Sequence, residues 1–265
     1  MKKQLLLGAA VSVLAAIDPA MAQTPAWNWT GFYAGLNVGY SWGNGAVTYN
    51  EPVFAARTSL PGTFSGPSFL DGAIGGFQIG YNWQIQSTWV IGLEADWQAA
   101  SEVANGSFSN SGICDGEGPC RISGSLGSQI LWFGTVRGRV GWLYTPQVMV
   151  YATGGLAYGK VDDSGNFSLT TAGLNCLSSC VWGFHQSAIN TGWTVGGGIE
   201  GVVANMPTVT WKVEYLYVDL GSIGGSGFDT LPLGDGGLGG PNPFTFNAHF
   251  TDNIFRVGLN WQFSH

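Results

Sequence analysis

Arg137 and Arg139 stand two residues apart in Thr135-Val-Arg-Gly-Arg-Val-Gly-Trp142, with no acid near them in the chain. On an extended strand that spacing points both cations to one face. They could bind an anion, line a charged passage, or form half of a buried ion-pair network. Glu94 and Asp96 repeat the spacing with acids, and Lys212 and Glu214 repeat it with one of each sign. Glu200 and Arg256 stand singly in similar apolar stretches. Hydrolytic chemistry would need a histidine set against an acid and a hydroxyl. His249 with Asp252, and Ser187 near His185, are the residues that could supply it. Segments rich in Ser and Asp offer such sets by chance, so the reading is not an enzyme. Cys114, Cys120, Cys176 and Cys180 could ligate a metal, but an exported chain favours disulfides. Of the three pairings, Cys114–Cys120 with Cys176–Cys180 is the simplest. No metal and no cofactor is expected. The glycine run at 234–240 is no phosphate loop, because it lacks a strand–glycine–helix setting.

The elements that must hold these residues are strands. Alternation with period two recurs at about 29–42, 71–85, 89–102, 128–144, 148–162, 189–204, 209–220 and 249–263. Each stretch is at least as long as the roughly 9–11 residues that a tilted strand needs to cross a bilayer. Tight connections at 86–88, 145–147 and 205–208 alternate with long ones at about 44–70, 103–127, 163–188 and 221–248. Short turns on one side and long loops on the other are the pattern of an outer-membrane barrel. Composition agrees: 43 glycines, 14% aromatic residues and only 9% charged residues, against about 25% charged in soluble domains. The first residues read as a signal peptide over 1–22, with Lys2 and Lys3, an apolar run from Leu5 to Ile17, and Ala20-Met-Ala22 before the cut. Residues 23–265 are then expected to form one domain, an all-β, eight-stranded antiparallel up-and-down transmembrane β-barrel.

Aromatic residues test that reading, because a membrane barrel carries a girdle at each interface. Trp29, Trp83, Trp89, Trp142, Tyr144, Trp211, Trp261 and Phe263 fall near the tight turns. Tyr40, Trp42, Trp97, Trp132, Tyr158 and Trp193 fall near the long loops. With the apolar face turned to lipid, the lumen receives Glu94, Asp96, Glu200 and Glu214, and against them Arg137, Arg139, Lys212 and Arg256. Their charges cancel, and confined charges of opposite sign should pair. Arg137 and Arg139 are expected to meet Glu94 and Asp96 on the preceding strand. An eight-stranded barrel is about wide enough for side chains to fill it. The expected lumen is therefore a plug of ion pairs, with a narrow charged pore for small solutes as the alternative.

The chain carries a formal charge of −7, which becomes −8 without Lys2, Lys3 and Asp18. With the lumen neutral, that charge is expected in the loops and strand ends, and it argues against nucleic acid as a partner. Outer-membrane lipid and lipopolysaccharide are the expected surroundings.

The stretch Trp29-Thr-Gly-Phe-Tyr-Ala-Gly-Leu-Asn-Val-Gly-Tyr40 resembles the opening strand of small alphaproteobacterial outer-membrane barrels. These are the outer-membrane immunogenic proteins of the opacity-type porin family. Asn253-Ile-Phe-Arg-Val-Gly-Leu-Asn-Trp-Gln-Phe263 resembles their last strand. Within it Arg256, Gly258, Trp261 and Phe263 match the signal that the barrel-assembly machinery reads. Here Ser264 and His265 follow the terminal aromatic, a departure from the pattern. The resemblance implies a Gram-negative outer-membrane location, a structural role in the envelope and limited porin activity. The long loops would then face extracellular or host ligands.

Overall fold

The computed structural model describes residues 27–114, 118–171, 180–229 and 242–263. The expected signal peptide, Cys176, Ser264 and His265 lie outside them. In chain order the strands are β1 Gly31–Asn44, β2 Val47–Asn50, β3 Thr63–Ser65, β4 Phe69–Ile85, β5 Trp89–Cys114, β6 Gly118–Thr145, β7 Val148–Thr171, β8 Cys180–Val203, β9 Met206–Asp229 and β10 Asn242–Gln262. A short helix α1, Pro52–Arg57, separates β2 from β3.

β1 pairs with β4, each strand from β4 to β10 pairs antiparallel with the next, and β10 returns to β1. The closing register runs from Tyr33 opposite Gln262 to Asn44 opposite Thr251. The chain is thus a closed eight-stranded antiparallel barrel, as the alternation predicts. Closure satisfies every ladder and leaves no edge in the lipid. The tight turns place Gln86 and Asn205 at positive φ, 58° and 65°.

Leu36, Ile79, Leu93, Val136, Leu156 and Val257 face outward and are exposed, forming an apolar belt. Trp83, Trp89, Trp142 and Trp261 flank it toward the tight turns, and Trp42, Trp97 and Trp193 flank it on the other side. The belt spans Trp89 to Trp97 in β5 and Trp132 to Trp142 in β6, matching the roughly 9–11 residues of a bilayer crossing. The strand segments between the girdles are the membrane-spanning part. One girdle assignment is corrected. Trp29 is only 1% exposed. Its indole donates to the Pro146 carbonyl at 3.1 Å and its backbone N–H to Gln84 at 3.0 Å. It lies across the tight-turn mouth with Trp27, Val90, Leu143, Met149 and Tyr151, because the chain bends inward before β1 begins.

The long connections also differ from the expectation of loops. β5 and β6 continue their pairing as far as Cys114 opposite Gly118, and β7 follows β6 to Thr171 opposite Cys120. A disulfide joins Cys114 to Cys120 across the hairpin tip, with Cα atoms 5.8 Å apart. β8 stays on β7 up to Cys180 but leaves β9 beyond Trp193 opposite Asp219. Above the belt the wall therefore divides. One sheet is β5–β6–β7–β8, and the other is β9–β10 with β2 and β3 added to its edge. The sheets face each other across an apolar core. Tyr49 packs there against Phe167, Phe184 and Phe244 at ring-centroid distances of 4.5, 5.7 and 5.2 Å.

Candidate functional site

The eight charges assigned to the lumen meet inside the belt, none more than 4% exposed. Each sits on the inward parity of its strand, so the barrel's pleat delivers them to one space. Arg137 is at the centre. Its Nη2 reaches Glu94 at 2.5 Å and Asp96 at 2.9 Å, and its Nη1 reaches Glu214 across the lumen at 3.1 Å. Arg256 binds Asp96 at 2.8 Å and Glu214 at 2.5 Å. Lys212 binds Glu94 at 2.9 Å. Arg139 meets the expected Glu94 at 3.6 Å, but its shortest bond is to Glu200 at 2.9 Å rather than to Asp96. The reason is depth, since Arg139 lies one pleat nearer the tight turns, level with Glu200.

Neutral groups complete the cluster. The Tyr33 hydroxyl donates to Glu94 at 2.7 Å and that of Tyr151 to Glu214 at 2.9 Å. Both rings flank the Arg139 guanidinium, 5.0 and 5.2 Å from their centroids, a cation–π arrangement. Asn82 accepts from Arg139 at 2.9 Å. Thr210 and Asn260 donate to Glu200 at 2.6 and 2.8 Å, and Gln78 and Asn37 extend the chain of amides. Sequence reasoning placed Tyr33 and Asn37 on the inner face without giving them a role. Their parity was the signal that could have done so. Glycines make the room: a Cβ on Gly198 would come within 2.7 Å of the Tyr151 hydroxyl, and one on Gly35 within 2.9 Å of Gln78 Nε2.

A few buried polar atoms have no protein partner, among them Arg256 Nη1, Asp96 Oδ1, Arg139 Nη2 and both amide atoms of Gln98. Buried groups of this kind are normally satisfied by water.

Above the outer girdle the barrel interior turns apolar, with Phe133, Leu216, Leu220, Ile130 and Ile254 over the ion pairs. Two acids are set into this layer. Glu102 and Asp252 are 0% and 2% exposed and face one another beside Ser41. Gly72 gives them room, since a Cβ there would stand 2.8 Å from the Glu102 Cα. Among the described residues no cation reaches the pair. They lie level with outward-facing Asp71 and Asn253, outside the membrane-spanning segments. Burial pushes the Glu102 carboxyl up to about 7, and burial with the nearby Glu102 charge pushes Asp252 up to about 9. Glu51 and Asp163 are buried too. Four of the acids expected in the loops and strand ends, Glu51, Glu102, Asp163 and Asp252, are therefore buried in the extracellular half.

The hydrolytic candidates separate. His249 and Asp252 project to opposite faces, as residues three apart on a strand must. His249 instead bonds Ser222 through Nδ1 at 2.9 Å and stands 3.5 Å from Asp219. Gly221 N–H is already given to Asp219 at 2.7 Å, and Ser222 and His249 oppose each other in the ladder. Ser187 and His185 are exposed on the outer face of β8. Of the last-strand residues, Arg256 joins the ion pairs, Trp261 and Phe263 face outward, and Gly258 lies against Asn37, 3.1 Å from where a Cβ would be. The Cys176–Cys180 pairing falls outside the described residues.

Residues 6–263 match the family described as outer membrane protein beta-barrel domain. The chain is 35% identical over 245 residues to the 31 kDa outer-membrane immunogenic protein of Brucella melitensis, covering 92% of this chain and 88% of that one. It is 32% identical over 239 residues to the 22 kDa outer membrane protein of Rhizobium leguminosarum, covering 90% and 80%.

Proposed function

The chain belongs to the outer membrane protein beta-barrel family and resides in the outer membrane; from this we propose that it is a structural, surface-exposed envelope protein with a closed lumen and no catalytic role. One observation carries the reading: three layers of side chains fill the barrel in series. Trp29 and its neighbours cover the tight-turn mouth. The ion pairs of Arg137, Arg139 and Arg256 fill the belt. The aromatic core around Tyr49 and Phe167 fills the extracellular half. A conducting path would have to break all three. Export through a cleaved signal peptide, and reading of the last strand by the assembly machinery, belong to the same proposal.

The partnerless atoms of Gln98, Asp96 and Arg256 support the alternative, a narrow hydrated pore. Planar-bilayer recording of the refolded barrel separates the two. A closed lumen gives a quiet baseline. Steady conducting steps whose ion selectivity changes in Arg137→Gln would replace the plug with a pore.

A further inference from the structure

The outer faces of the extracellular sheets carry a consistent chemistry. In β5–β6–β7 the outward residues fall in register: Ser107 opposite Ser125 and Asn166, and Ser109 opposite Ser123 and Ser168. Hydroxyls and amides continue above and below, with Thr170 and Asn105. The second sheet repeats the pattern with Asn50, Thr245 and Ser226 side by side. Between Val103 and Thr171, among the described residues, Arg121, Lys160 and Asp162 are the charged side chains on the outer face, and Lys160 stands opposite the girdle residue Trp132. Solvated surfaces usually carry about 25–35% charged residues, and asparagine is a poor strand former. Neither solubility nor strand propensity accounts for this selection.

Position supplies the rest. The same strands form the lipid-facing belt below, so the polar face begins where the hydrocarbon ends. A strand rises about 3.4 Å per residue, so Asn105 to Ser111 covers about 20 Å along the strand above the belt. In an outer membrane that height belongs to the sugars of the outer leaflet. Lipid phosphates would call for a cluster of lysine and arginine; above the girdle, among the described residues, this wall has Arg121, whose Nε is given to Ser109 at 2.7 Å. Side chains that both donate and accept match sugar hydroxyls.

We propose that the extracellular walls form a contact surface for the neutral saccharide chains of surrounding lipopolysaccharide, made through serine, threonine and asparagine rather than through charge or bridging cations. The proposal rests on the outer-membrane location and not on the closed lumen, so the conductance result leaves it untouched.

The test uses the mature full-length barrel in vesicles of two lipopolysaccharides with the same phosphorylated inner core. One keeps its outer saccharide and the other lacks it. Hydrogen exchange is followed in peptides from 103–114 and 118–130. Severalfold slower exchange with the full saccharide is expected, unchanged by removing divalent cations. The difference should vanish in Ser109→Lys/Ser168→Lys, whose substituted residues face outward and leave both cores intact. Equal exchange in the two membranes overturns the proposal. So does protection that appears with the inner core alone and is lost with a chelator, because the contact would then be ionic.

Discussion

Replacing Glu102 and Asp252 by Gln and Asn should remove most of the pH dependence of the barrel's stability. The carboxyls face each other in an apolar layer with only Ser41 beside them. Asp71, the nearest other acid, faces outward and is held by Tyr40. β1 and β6 present no charge to the pair; they contribute Ser41 and Ile130. Burial raises Glu102 from 4.5 to about 7, and Asp252 from 3.8 to about 9. Both folded values lie above the unfolded ones, so the neutral pair contributes fully below about pH 4 and that stability is lost as pH rises. The loss runs to about pH 7 for Glu102 and continues to about pH 9 for Asp252. At about 1.4 kcal/mol per pH unit, the rise of Glu102 alone corresponds to about 3 kcal/mol. Urea unfolding in lipid vesicles at pH 5, 7 and 9, read by tryptophan fluorescence, would show a midpoint falling with pH in the wild type. The Glu102→Gln/Asp252→Asn variant should lose most of that fall, keeping only the part that comes from Asp163, whose carboxyl burial raises to about 6. A wild-type midpoint that does not fall, or a variant that falls as steeply, would refute the neutral acid pair.

Arg137→Ala removes one of the two guanidiniums, with Arg256 the other, that Glu94, Asp96 and Glu214 share. Breaking a buried pair in this way costs about 3–5 kcal/mol, readable as a lower urea midpoint. Phe167→Ala empties the centre of the extracellular core, where Phe167 stacks on Trp182 at 5.4 Å. The expected loss is about 3–5 kcal/mol. Proteolysis should then cut first at the extracellular hairpins, with the membrane belt still protected.

The belt was legible because each of its strands repeats one rule, apolar outward and small or polar inward. The ion pairs were legible for the same reason: eight charges on the inward parity of different strands had only one place to go. The extracellular half was hidden by two effects. Its outward residues are serine, asparagine and glycine, a composition shared with loops. The alternation is also broken by single residues. In β6 the odd positions Arg137 and Arg139 face inward, but above Leu131 the even positions Ile130, Ser128 and Leu126 do. The ladder shifts register there, between Ile130 and Trp132. In β9 the even positions Lys212 and Glu214 face inward until Gly221, at φ 74°, after which Ile223 does. One extra residue turns every later side chain to the other face, so a pattern followed from the belt assigns the wrong face beyond it.

The two halves obey opposite rules for one reason. Inside the membrane the outside of the sheet meets hydrocarbon, so apolar side chains gain little by turning inward and the lumen is left to charges. Those charges are tolerable only because each has partners within about 3 Å. Above the girdle the outside meets water and sugar, and burial of apolar area again favours the interior. Leu126, Ile223 and Phe246 therefore face inward on strands whose lower parts face inward with Arg137, Lys212 and Arg256. β2, α1 and β3 follow from the same change. Where β1 and β4 end, the interior would open to solvent, and residues 47–65 supply the strands added to the edge of β10 and Phe54 and Phe64 that complete the core. Glu102 and Asp252 sit at the boundary, deep enough to be dry and one layer too high to reach Arg256. An acid pair at that level cannot be neutralised by the ionic layer and must be neutralised by a proton.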